Sequence, residues 1–99
     1  MKDRGISLST HVLDTGAGRP AAGVTVELRL AGEAVTTATT DADGRARLAE
    51  RLEEGTYTVV FHPPSPFFTR VELQVELTEG HYHVPLLVSD FGCATYRGS

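Results

Sequence analysis

Apolar and polar residues alternate along much of the chain, and this alternation predicts short β-strands. Every second residue is apolar through most of four segments, at 6–12, 24–30, 56–61 and 68–77. Successive side chains of a strand point to opposite faces, so a period of two gives each strand one apolar and one polar face. With turn residues at regular spacing, as at 41–44, the pattern predicts an all-β fold with little or no helix. We expect an antiparallel β-sandwich of two sheets and seven to eight strands.

The remaining segments carry weaker signals. Residues 35–40 are rich in threonine and predict a strand at a sheet edge. Residues 45–48 predict a short strand, but 48–55 (LAERLEEG) have a helix-tolerant composition, which predicts at most one helical turn or an irregular loop. Residues 62–66 contain three prolines that cannot continue a strand, and 15–23 contain three glycines and a proline, so both are predicted loops.

Residues 81–89 (HYHVPLLVS) carry a further strand signal and two of the four histidines. On this alternation His81 and His83 lie on the face opposite to the apolar residues. Residues 90–92 predict a turn, and 93–98 predict a last short strand. Groups that donate, accept and carry charge are dense in this part of the chain, so it is a candidate site.

Several polar side chains share one property, since each lies on the face of its strand that is turned away from the predicted core. They are His11, Arg45, His81 and His83, and also Thr95, Arg97 and Ser99 if the last strand is regular. If these strands belong to one sheet, the side chains form a polar patch on its outer surface. An open sheet face has no walls to hold a substrate, so we predict that this face packs against another copy of the chain.

Composition narrows the class of protein. The length of 99 residues predicts a single domain, residues 1–99. Nine basic and 13 acidic residues give a net charge of −4 without a cluster of lysine or arginine, which argues against a nucleic-acid partner. No apolar run approaches membrane-spanning length, so we predict no membrane partner. Cys93 is the single cysteine, so no internal disulfide forms and a cytoplasmic location is predicted.

Five motifs together carry a resemblance to a known family. They are HVLDT at 11–15, GRPA with Gly23 at 18–23, TDADGR at 40–45, HYHVPLL at 81–87 and YRGS at 96–99. With them the chain resembles the 5-hydroxyisourate hydrolases, the transthyretin-like enzymes of urate breakdown. The resemblance covers nearly the whole chain, and HVLDT, HYHVPLL and YRGS are its most specific motifs.

The resemblance implies a fold, an assembly and a reaction. The fold is a transthyretin-like sandwich of eight strands, and the assembly is a homotetramer with active sites between two dimers. The reaction is hydrolysis of 5-hydroxyisourate to 2-oxo-4-hydroxy-4-carboxy-5-ureidoimidazoline in purine catabolism, without a cofactor or a metal. Carried over position by position, the catalytic residues are His11, Arg45, His83 and Ser99, and the substrate-binding residues are His11, Arg45, Tyr96 and Arg97.

The chemistry of these residue types suits the opening of a cyclic amide by water. Histidine titrates near neutral pH, so either His11 or His83 serves as the base and the other as the acid or as an orienting partner. Arg45 stays protonated, and its planar set of donors suits an anionic ring or the oxyanion that develops on it. Ser99 offers a hydroxyl and the carboxylate of the chain end, and we do not expect it to act as a covalent nucleophile.

The chain departs from the family pattern in two places. The family usually has a short helix between the strand that ends near Phe61 and the strand that starts near Phe68, and the connection 62–67 is too short for it. Cys93 stands where the family usually has tyrosine. A thiol is smaller, so the packing of that turn is expected to differ.

The sequence leaves some alternatives open. The H-x-H pair with His11 nearby is able to bind Zn²⁺, but the charge of Arg45 opposes a cation there. His81 is either a supporting residue beside the site or plain surface. For the whole protein, the alternatives are a transthyretin-like carrier of a small ligand, which needs an apolar channel, and a non-catalytic β-sandwich module.

Overall fold

The computed structural model of the chain describes residues 5–98. These residues form ten β-strands and no helix, and so none of them belongs to a helix that is able to cross a membrane. The strands, in chain order, are β1 (Ile6–Asp14), β2 (Arg19–Pro20), β3 (Thr25–Leu30), β4 (Glu33–Thr39), β5 (Arg45–Leu52), β6 (Gly55–His62), β7 (Val71–Leu77), β8 (His81–His83), β9 (Leu86–Val88) and β10 (Cys93–Thr95).

The strands are arranged in two sheets. In the first sheet β1 is central: it pairs antiparallel with β2 and β5 and parallel with β8 and β9, and β10 pairs antiparallel with β9. The second sheet has the order β4-β3-β6-β7, and all its pairs are antiparallel. The predicted all-β sandwich of two sheets is confirmed, and so is the edge position of β4.

The core lies between the two sheets and is built from the inward positions of the alternating strands. Burial in β1 alternates along the strand, as the sequence predicts. Thr10 is a polar residue on this inward face, and its hydroxyl donates to the carbonyl oxygen of Val84 at 2.6 Å, so its burial leaves no donor unsatisfied. A fully buried Val, Leu, Ile or Phe side chain stabilises the fold by about 1.5–3 kcal/mol. Such side chains include Ile6, Leu8, Val12, Val26, Leu28, Val59, Phe61, Leu86 and Val88.

The prediction of an irregular or helical segment at 48–55 was wrong. β5 continues to Leu52, because its backbone pairs with β1 from His11↔Arg45 to Ile6↔Leu52, with two register shifts. Arg51 lies at the irregular end of this ladder with a φ of 62°. The helix propensity of these residues is a few tenths of a kilocalorie per residue, and pairing with a neighbouring strand overrides it.

Other boundaries also differ from the predictions. The strand predicted at 68–77 begins only at Val71, and the loop predicted at 15–23 contains the short strand β2. The strand predicted at 81–89 is divided into β8 and β9, because Pro85 between them has no N–H to donate to the ladder. Its two faces are nevertheless as predicted, with Tyr82 and Val84 buried on the core side.

Candidate active site

Three strands of the first sheet bring the predicted site residues together. His11 on β1 is the direct Cα partner of Arg45 on β5, and Ser9 of β1 is the partner of His83 on β8. Their side chains lie on the face of the sheet that is turned away from the core, as the alternation predicts. The condition set by the sequence analysis for a shared polar patch, that these strands belong to one sheet, is therefore met for β1, β5 and β8.

A surface cavity of about 420 Å³ opens over this face. Its lining residues are Ser9, Thr10, Asp41, Arg45, Ala46, Arg47, His81 and His83. His11 lies beside it, with its ring centroid 6.5 Å from that of His83. The Nε2 atom of His11 is buried and has no hydrogen-bond partner among residues 5–98. A buried polar nitrogen without a partner costs free energy, so this nitrogen is a destabilising feature beside the cavity.

Arg45 is held beside His11 by the turn that precedes it. The carboxylate of Asp41 accepts the backbone N–H groups of Asp43 and Arg45, each at 2.9 Å, and the bond from Arg45 is the main reason that the pKa of Asp41 is below its usual value. Gly44 has a φ of 76°, and a Cβ there would lie 2.5 Å from the carbonyl oxygen of Val12. Only glycine lets the turn approach β1 this closely.

His83 is half-buried, and its environment favours the neutral imidazole. Burial lowers the pKa of His83 below its ordinary value, and the nearby charges of His11, Arg45 and His81 lower it further. A neutral imidazole has one nitrogen free to accept a proton. His83 is therefore suited to act as the base at neutral pH.

Two serines connect the histidines and were missed by the sequence analysis. The hydroxyl of Ser9 lies 2.9 Å from Nδ1 of His83 and 3.1 Å from Nε2 of His81. The hydroxyl of Ser7 lies 2.6 Å from Nδ1 of His81. The alternation of β1 did place Ser7 and Ser9 on the same outer face as His11. The parallel pairing of β1 with β8, which places them against the histidines, has no signature in the sequence.

Tyr82 fixes β8 from the opposite, core-facing side. Its phenol oxygen accepts the backbone N–H groups of Thr78 at 3.0 Å and Glu79 at 3.3 Å. The guanidinium of Arg97 lies 4.4 Å from the centre of its ring, a cation–π contact. This anchoring holds the flanking residues His81 and His83 on the outer face.

The end of the chain reaches His83 through its backbone. The N–H of Gly98 donates to the carbonyl oxygen of His83 at 2.7 Å, and a Cβ on Gly98 would lie 2.8 Å from Cδ2 of the His83 ring. Tyr96 and Arg97 instead line a second cavity of about 670 Å³ beside β7, which contains no histidine. Within a single chain they do not reach the histidine cavity, and their predicted role in substrate binding stays a prediction. Ser99 lies outside the described residues.

The described residues give no support to the zinc alternative. Within 5–98, no group of three or more histidine, cysteine, aspartate or glutamate side chains has the arrangement to hold a metal ion. The positions of His11 and His83 beside the cationic Arg45 fit an anionic or carbonyl-rich ligand better.

Fold and site together define a class of protein: a transthyretin-like β-sandwich with a histidine- and arginine-rich cavity on one outer sheet face. The chain belongs to the HIUase/Transthyretin family, whose model matches residues 8–98.

Known proteins similar to this chain include both branches of that family. The 5-hydroxyisourate hydrolase of Deinococcus radiodurans is 45% identical, over 93% of this chain and 95% of the relative. The solved structure of the Klebsiella pneumoniae 5-hydroxyisourate hydrolase superposes with a TM-score of 0.86 at 38% identity, over 94% and 98% of the two chains. Transthyretin from Sparus aurata superposes with a TM-score of 0.79 at 26% identity, over 92% and 95%. The alignment to the Deinococcus relative spans 113 positions, more than the 99 residues of this chain, so this chain carries deletions.

Proposed function

We propose that this protein hydrolyses 5-hydroxyisourate to 2-oxo-4-hydroxy-4-carboxy-5-ureidoimidazoline in urate breakdown. The observation that carries the proposal is the placement of His83, whose pKa is lowered by burial, next to His11 and Arg45 on one sheet face. The relatives named 5-hydroxyisourate hydrolase support it, since they match over nearly the whole chain.

The proposal gives a role to each of the three side chains. His83 takes a proton from the attacking water, because its neutral form is favoured at neutral pH. Arg45 stabilises the negative charge that develops on the carbonyl oxygen. His11, whose ring centroid lies 6.5 Å from that of His83, binds the ring or protonates the leaving nitrogen. A base and an oxyanion donor contribute about 10²–10⁴-fold and 10²–10³-fold, respectively.

The cavity of a single chain is open to solvent on one side, so the proposal includes assembly. We infer a homotetramer with the catalytic faces of two dimers packed against one another. Two features support it: the catalytic face lacks a wall, and β7 and β10 end their sheets without a further strand among the described residues. Roles for Tyr96 and Arg97 in substrate binding require that a neighbouring subunit brings them to the cavity, and the role of Ser99 in catalysis is part of the same proposal. Light scattering coupled to size-exclusion chromatography measures the assembly.

The experiment follows loss of absorbance of freshly generated 5-hydroxyisourate with the wild type and with three variants, His11→Ala, Arg45→Ala and His83→Ala. Each variant should lower kcat/KM by about 10²-fold or more while circular dichroism remains unchanged, because all three side chains lie outside the core. His62→Ala, a histidine on the second sheet, is the matched control and should keep full activity. Wild-type rates in all three site variants would refute the site.

The same assay distinguishes hydrolysis from the two alternative functions, a carrier and a structural module. A wild-type protein that binds the substrate without turnover would favour a carrier, and one without binding would favour a structural module. A cytoplasmic location remains a prediction from the single cysteine, and cell fractionation tests it.

A further inference from the structure

The side chains of Ser7, His81, Ser9 and His83 form an unbroken hydrogen-bonded chain, called the relay below. Each member both donates and accepts, because a hydroxyl carries one proton beside its lone pairs and a neutral imidazole has one N–H and one acceptor nitrogen. Ser9 contacts both imidazoles, so it accepts from one and donates to the other. The relay can therefore run in either of two directions, and each satisfies every contact.

Passage of a single proton converts one direction into the other. When His83 receives a proton on Nε2, its Nδ1 proton moves to the hydroxyl of Ser9. The hydroxyl proton of Ser9 then moves to Nε2 of His81. The Nδ1 proton of His81 moves to Ser7, whose own hydroxyl proton leaves to water. One proton enters at His83 and one leaves at Ser7, so no member keeps a charge. Nε2 of His83 then carries a proton, so before the next turnover the ring protons exchange with water and the two hydroxyls rotate back to the first direction.

The proposed reaction produces a proton that has to leave. Water adds across the amide to give a carboxylic acid and an N–H group, and a carboxylic acid with a pKa of about 4 ionises at neutral pH. Half-buried His83 holds the proton less firmly than a solvated histidine, because burial and the neighbouring charges of His11, Arg45 and His81 lower its pKa. The two ends of the relay open in different places. His83, Ser9 and His81 line the substrate cavity, and Ser7 lines an adjoining recess of about 420 Å³ that shares Arg47 with it.

We propose that the relay carries the proton taken up by His83, by way of Ser9 and His81, from the substrate cavity to the surface at Ser7. The proposal rests on the proposed hydrolysis. Ser9 is also a positioning residue, since its hydroxyl occupies Nδ1 of His83 and leaves Nε2 for the attacking water. The proposed relay also gives a role to His81, for which the sequence left two alternatives: a supporting residue beside the site or plain surface.

The test compares turnover in dilute buffer with turnover after addition of imidazole, a small proton carrier. His81→Gln should lower kcat about tenfold in dilute buffer, in the range found when the hydrogen-bond partner of a functional histidine is removed. Imidazole should restore the rate by carrying the proton in place of the missing side chain. KM should change little, because His81 is not assigned to substrate binding. The wild type and the control His62→Gln should be insensitive to imidazole.

Two variants of Ser9 test the hydroxyl itself. Ser9→Ala should lower kcat by about tenfold or more, because Nδ1 of His83 loses its partner, and Ser9→Thr should restore most of it, because the hydroxyl is retained. Wild-type rates for His81→Gln in dilute buffer, or a loss that imidazole does not relieve, would overturn the relay. An inactive wild type would instead overturn the proposed function.

A measurement without turnover separates these failures. Nitrogen-15 NMR of the imidazole rings reports which nitrogen of His83 is protonated, and it should change in both His81→Gln and Ser9→Ala if the relay couples them. An unchanged His83 signal in both variants would contradict the relay, whether or not the protein is active.

Discussion

Gly98→Ala offers a sharp test of how the end of the chain supports the site. The new methyl group would lie 2.8 Å from Cδ2 of His83 and 3.3 Å from its Cβ and Cγ, whereas ordinary contact starts at 3.4 Å. The ring or the chain end must therefore move by about 0.6 Å. The N–H of Gly98 that donates to His83 is retained, so the substitution changes steric contact alone.

The magnitude follows from the sensitivity of catalysis to position. A displacement of about 1 Å costs on the order of 10²-fold in rate, so 0.6 Å predicts a loss of about tenfold in kcat for Gly98→Ala. The 5-hydroxyisourate assay measures it, and thermal unfolding should change little because Gly98 lies outside the core. Gly16→Ala is the matched control, since its methyl would be 3.5 Å from the Asp14 carboxylate, an ordinary contact. Full activity of Gly98→Ala would refute the view that this glycine positions His83.

Three further predictions follow from the same structure. Gly44→Ala should destabilise the fold by roughly 1–3 kcal/mol in urea unfolding, because its left-handed φ and its approach to Val12 both exclude a side chain. It should also lower kcat by displacing Arg45; a stable, fully active variant would contradict this. Val84→Ala should cost roughly 1–3 kcal/mol of stability and leave kcat nearly unchanged, because Val84 lies on the core face. Lost turnover with unchanged melting would mean that the faces of β8 are inverted. Finally, the pKa of His83 is lowered below its ordinary 6.5, so the stability from its neutral state is complete above about pH 6.5 and is lost as the pH falls through the folded value. His83→Gln should remove this part of the pH dependence of unfolding, and identical profiles would disprove it.

The parts of the fold that could be predicted are those that local alternation determines. The outer position of His11 and His83 followed from the period of two in β1 and β8, and the threonine-rich composition of β4 indicated its edge position. The extension of β5 to Leu52 could not be predicted, because the residues have a helix-tolerant composition and become extended only by pairing with β1. Local propensity carries no information about which strand lies alongside.

The candidate site shows the same division. His11, Arg45 and His83 were identified from their motifs, and their meeting on one face followed once their strands shared a sheet. The contacts of Ser9 with two imidazoles depend on the parallel register between β1 and β8, and no residue pattern in the sequence predicts that register. The stacking of Arg97 on Tyr82 was likewise missed, because alternation gives the face of a residue but not the direction that a long side chain takes after the strand has ended.

The central position of β1 has a consequence for how the protein is made. β1 precedes the other described strands, and besides the short neighbouring β2 its ladder partners are the distant strands Arg45–Leu52, His81–His83 and Leu86–Val88. Closing such long loops costs entropy before any pairing repays it, and proteins dominated by distant pairings fold in milliseconds to seconds rather than microseconds. In the nascent chain most of β1 stays unpaired until residues 45–52 and 81–88 have been translated. We expect the catalytic face to form in one late step, when the last strands of the newly made chain close on the first.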